Sequence, residues 1–65
     1  MTLKEIESRH YANMARLSCI RAAYKRVEPF SEEFDHLLEE DLRIQEEQGR
    51  LLSKRIAAMH ELMDG

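Results

Sequence analysis

The residues best equipped for chemistry in this 65-residue chain are three histidines, one cysteine and a Glu33-Phe34-Asp35-His36 run. On a helix, Glu33 and His36 share one face, the spacing used in carboxylate-bridged di-metal bundles. Such a site needs further glutamates from a facing helix, and the segment predicted to face it, residues 20–26, has none. His10, His36 and His60 are spread along the chain, and no serine or cysteine stands where a histidine and an acid would converge on it. Cys19 reads as a small residue in a packing row. There is also no glycine-rich phosphate loop and no carboxylate dyad. The expectation is a chain that is not an enzyme and uses no metal or cofactor.

The elements that would position any site are helical. The sequence is 43% hydrophobic and 35% charged, with two glycines, one proline and four aromatic residues, too few turn formers for a sheet of several hairpins. One domain spanning 1–65 is expected. Below roughly 70–80 residues a single core supplies only about 3–5 kcal/mol, so small chains add disulfides, a metal or another subunit. With Cys19 alone there is no intrachain disulfide, which points to a reducing, cytoplasmic setting. The longest uncharged run is six residues, His10 to Ala15, which predicts no membrane span and no signal-peptide core.

Pro29 divides the chain, since it lacks a backbone donor and restricts Glu28 before it. Thr2-Leu3-Lys4-Glu5 is a capping box, and Ser31, followed by Glu32, Glu33 and Asp35, suits the start of a second helix. The predicted fold is all-α: a coiled-coil-like antiparallel hairpin with helices at about 3–27 and 32–63, completed by a partner or a second copy. In the first helix Leu3, Ile6, His10, Asn13, Leu17, Ile20, Tyr24 and Val27 keep one stripe on one face. The second helix carries two stripes. Leu38, Leu42, Leu52, Ile56, Met59 and Met63 form the one assigned to the inner seam; Leu37, Ile44, Leu51, Arg55, Ala58 and Leu62 form the other. A short connection forces the helices antiparallel, with positions whose numbers total about 59–60 facing each other. Charge agrees: residues 1–30 are net +3 and residues 31–65 net −6. Folding back places Arg21, Lys25 and Arg26 near Glu32, Asp35, Glu39 and Glu40, and Glu5 and Glu7 near Arg50, Lys54 and Arg55.

One hairpin cannot cover every apolar stripe. Opposite its seam the first helix has a row of small residues, Ser8, Ala12, Ala15, Cys19 and Ala22, flanked by Tyr11 and Met14. Alanine is also the best helix former on a solvent face, so the row has a plain reading too. Gln45, Gln48 and Gly49 break the second helix's stripes opposite His10 and Asn13, and a polar layer of that kind fixes register. Periodicity therefore nominates Tyr11, Ala15, Cys19, Ala22, Ile44, Leu51, Ala58 and Leu62 as the partner-binding residues.

Two resemblances bear on the partner. Asn13-Met14-Ala15-Arg16-Leu17 resembles part of the first helix of plasmid copy-number regulators, homodimeric hairpins that grip paired RNA loops. Against nucleic acid, Arg9 and Arg16 lie on one flank and Arg21 and Lys25 on the other, and the second helix is strongly acidic. The whole layout resembles the small helical-hairpin co-chaperones of type III secretion needle subunits, through Ser31-Glu32-Glu33-Phe34 followed by Leu37 and Leu38. That resemblance implies a cytoplasmic protein that docks on a helical-repeat chaperone and helps keep a needle subunit soluble before export. The alternative is a homodimeric four-helix-bundle regulator, RNA-binding or a phage or plasmid inhibitor of a host protein.

Overall fold

Thr2 starts the first helix as its sequence requires. Its hydroxyl accepts from the Glu5 backbone N–H at 3.2 Å, while the Glu5 carboxylate reaches back to the Thr2 N–H at 3.4 Å. The capping box satisfies two of the amides that a helix start leaves unpaired. Helix α1 then runs Leu3–Tyr24, and helix α2 runs Glu32–Asp64. The structure, a computed structural model, describes residues 2–64; among them there is no strand, and the fold is the antiparallel helical hairpin.

Helix α1 ends three residues before the expected Val27. The Lys25 N–H bonds to the carbonyls of Ala22 and Ala23, and the Arg26 N–H to Ala23 at 2.9 Å, so the last turn tightens ahead of Pro29. Phe30 takes a left-handed φ of 64°, a conformation that costs a non-glycine residue roughly 1–2 kcal/mol. Ser31 then caps α2 as expected: its Oγ accepts from the Phe34 N–H at 3.2 Å and donates to the Glu28 carbonyl at 2.7 Å.

Of the seam predicted for α1, Ile6, Asn13, Leu17 and Ile20 are buried and Leu3, His10 and Tyr24 partly so, while Val27 lies past the end of the helix. On α2 the two stripes are exchanged. Leu51 is 4% exposed and sits in the seam with Phe34, Leu37, Ile44 and Gln48, whereas Leu52, assigned to the inner seam, is 58% exposed. The helix is rotated by about a quarter turn from the expected orientation. Three contacts set that rotation. The Tyr24 and Phe34 rings meet at 5.5 Å beside the turn, and Arg9 and Arg16 pair with Glu47 and Glu40 along one edge. Arginines one heptad apart thus meet glutamates one heptad apart.

The expected register holds, through Asn13 against Glu47 and Gln48 and His10 against Gln48. Among the predicted charge pairings, Arg55 approaches Glu7 at 4.0 Å; Arg21, Lys25 and Arg26 form no ion pair among the described residues, because the early end of α1 carries two of them into the turn. At 33 residues against 22, α2 outruns α1, and beyond Met59 it projects alone by roughly 8 Å. Its length accounts for the 52 Å long dimension of the molecule.

Candidate docking surface

The seam divides the hairpin's surface into two unlike flanks. On one, Arg9 Nε and Nη2 donate to the two oxygens of the Glu47 carboxylate, and Arg16 Nη2 donates to Glu40 at 2.9 Å. Asn13, buried beneath, donates to Glu47 at 2.8 Å and to Gln48 at 3.1 Å. Gln48 in turn donates 3.0 Å to the ring Nδ1 of His10, in the tautomer that leaves this nitrogen free to accept. Of the polar layer expected at Gln45, Gln48 and Gly49 opposite His10 and Asn13, Gln48, His10 and Asn13 join a continuous chain, Arg9–Glu47–Asn13–Gln48–His10, that crosses the seam, while Gly49 is exposed and Gln45 is exposed and donates to Asp41 of its own helix at 2.6 Å. No buried side-chain polar atom among the described residues lacks a partner.

These bonds move the charges. The Arg9 guanidinium, helped by the Asn13 amide, holds the Glu47 carboxyl down at about 2. Arg16 likewise lowers Glu40, and each arginine is raised in return. Partial burial, with a hydrogen bond to Asp41 at 3.1 Å, raises the Tyr24 phenol. With their charge engaged by glutamates, Arg9 and Arg16 do not form a free phosphate-binding stripe.

The other flank is apolar. Leu38, Leu42, Leu52, Ile56 and Met59 of α2 stand about half exposed in one line, interrupted by Gln45 and Gly49. A groove of ≈ 330 Å³ joins this line to α1, with Tyr11 on one bank, Leu52 on the other and Ile6, His10 and Leu51 between them. Scattered exposed leucines are ordinary on a protein surface, whereas these share one line along the helix.

The eight residues nominated from periodicity do not form one surface. Tyr11, Ala15, Cys19 and Ala22 are exposed on α1, the last three on its back, away from α2. Ile44 and Ala58 are partly buried and Leu51 fully so, because the exchanged stripe turns them toward α1, where they hold the hairpin shut. Leu62 is exposed on the projecting end of α2. The exposed leucines of the opposite stripe were missed, although the matched heptad spacing of Arg9–Arg16 and Glu40–Glu47 was a legible signal for the rotation. Glu33 and His36 are both exposed, and among the described residues no three potential metal ligands cluster. Among the described residues no helix is long and apolar enough to cross a membrane. No protein-family model, no curated protein and no solved structure matches the chain.

Proposed function

We propose that this chain is a non-enzymatic helix-binding module that works by packing the Leu42–Leu52–Ile56 flank of α2 against further helices. The observation that carries the reading is the contrast between flanks: one is closed by ion pairs, the other is a line of half-exposed apolar side chains at coiled-coil spacing. Energetics point the same way. The hairpin fully buries four hydrophobic side chains among the described residues, each worth about 1.5–3 kcal/mol, a small return against the entropy of ordering two helices. Packing on another helical surface supplies the missing burial.

In the narrower form that the resemblance implies, the surface belongs to a helical-repeat chaperone, and the chain is a cytoplasmic co-chaperone for a type III secretion needle subunit. Most of the residues behind that resemblance have local work here: Ser31 caps α2, Phe34 packs at a tilt against Tyr24, and Leu37 lies in the seam, while Leu38 is on the apolar flank. Docking in this form therefore falls to the apolar flank.

The test mixes the purified chain with such a chaperone and its needle subunit and reads the species by native mass spectrometry. A ternary complex broken by Ile56→Asp but kept by Arg43→Asp supports the narrower form. A chain that associates only with itself removes the chaperone and keeps the module. A chain that associates with nothing, with Ile56→Asp behaving as wild type, removes the helix-binding reading.

A further inference from the structure

We infer that the apolar flank is covered by a second copy of this chain, the two hairpins being related by a two-fold axis across α2 at the level of Glu47 to form an antiparallel four-helix bundle. The inference rests on the helix-binding reading and names its partner.

Six positions of the stripe, Leu38, Leu42, Gln45, Gly49, Leu52 and Ile56, follow one another at steps of four, three, four, three and four, centred on Glu47, with Met59 and Met63 beyond them. Any three-four stripe has this symmetry and suits either direction of pairing; the choice between them is made by Gly49, which a parallel pairing sets against another Gly49 and an antiparallel, isologous one sets against a long side chain. Leu38 then meets the partner's Ile56, and Leu42 meets the partner's Leu52. At the centre Gln45 meets the partner's Gly49. Gly49 has no neighbour within 4 Å of where a Cβ would stand, so the hairpin itself has no use for the notch. A long side chain from the second copy fills it, which gives a helix-interior glycine, unfavourable by about 1 kcal/mol relative to alanine, its reason.

Two features besides these six positions obey the same axis. Asn13 is bonded to Glu47 and so marks the axis level on α1, where Tyr11 and Met14, its two exposed large apolar residues, stand either side. The two-fold sets Tyr11 toward the partner's Met14. Among the described residues the most exposed large apolar side chains are Phe30, 90% exposed at the turn, and Met63, 82% exposed on the projecting end of α2. They lie nearly equidistant from the axis, so the projecting end of each copy reaches the other's turn.

The face is of the right order: Leu38, Leu42, Leu52, Ile56, Tyr11 and Met14 are each between 41% and 70% exposed, and each partner buries about 800 Å² in a standard interface. A flank that is self-complementary in spacing and bulk needs no different protein to cover it.

The experiment uses single cysteines in a Cys19→Ser background, Leu42→Cys in one preparation and Leu52→Cys in another, with mild oxidation and light scattering behind size exclusion. Both positions are exposed, so the hairpin tolerates them. The expected result is a particle of twice the 7.7 kDa chain mass and a disulfide that forms efficiently in the mixture but not in either preparation alone. Self-linking of Leu42→Cys, or a dimer whose mixture does not link, overturns the antiparallel register. A 7.7 kDa particle at every concentration overturns the second copy; if that monomer still joins the chaperone mixture described above, only this inference falls, and if it joins nothing, the helix-binding reading falls too.

Discussion

The two flanks of the hairpin solve opposite problems with the same helices. On the polar flank, Arg9 and Arg16 reach Glu47 and Glu40, and the Asn13 amide ties that edge to the seam. On the apolar flank, Leu42, Leu52 and Ile56 stay half exposed. Ion pairs on a surface contribute modestly to stability, but like-charge mismatches exclude wrong orientations, so the polar flank sets how α2 is rotated. Apolar contact is undirected and stabilises whatever covers it. The difference teaches that orientation and association are divided here between opposite edges of one helix.

The sharpest break of this comparison uses neighbours in sequence. Leu51→Asp should unfold the hairpin, at a cost of more than about 4 kcal/mol, because it places an unpaired carboxylate in the seam. Leu52→Asp should leave monomer helicity near wild type while weakening association. Circular dichroism with chemical denaturation checks both, and equal losses would erase the distinction between seam and flank. Next in size, Asn13→Leu should cost about 1–3 kcal/mol, since it leaves Gln48 and Glu47 short of a donor in the polar layer. Unchanged stability in denaturant would show that the layer does not hold the register.

That ordering follows from what could be read in advance. The face of α1 was legible throughout, because a single three-four stripe leaves a helix one way to turn. The capping box at Thr2 and the Ser31 cap were legible because they are local. The rotation of α2 was legible only in the matched spacing of its charges, since two stripes of similar apolarity offered two seams and hydrophobicity alone does not choose. Tyr24, Phe34 and the spaced charges chose, through contacts between residues far apart in the chain. The candidate site inherited that error: Ile44 and Leu51 were assigned to the partner and belong to the hairpin, while Leu42 and Ile56 are the exposed ones.

Gly49→Ala sharpens the apolar side. In a monomeric Ile56→Asp background it should stabilise the helix by about 1 kcal/mol, since a Cβ there meets open space. In the otherwise native chain it should weaken dimerisation, because the notch for Gln45 is filled. Thermal melts in the first background and dilution-dependent melts in the second separate the two effects. Destabilisation of the monomer would mean that Gly49 serves the hairpin itself.

The gentlest probe is pH. Because Arg9 and Asn13 hold Glu47 at about 2, well below its ordinary 4.5, the ionised carboxylate is favoured in the folded hairpin. Its stabilisation is complete above pH 4.5 and is lost as pH falls through about 2. Glu47→Gln should flatten the melting temperature across that acid window and leave its slope near neutrality alone. Parallel profiles for the two proteins would mean that the Arg9–Glu47 pair adds nothing to the fold.

The most direct test of the division between flanks is the solution mass of Ile56→Asp beside that of Arg43→Asp, by light scattering at two concentrations with reductant present. The account predicts that Arg43→Asp stays at twice the 7.7 kDa chain mass and that Ile56→Asp falls to a single chain. A dimer that survives Ile56→Asp, or that Arg43→Asp dissolves, would contradict it.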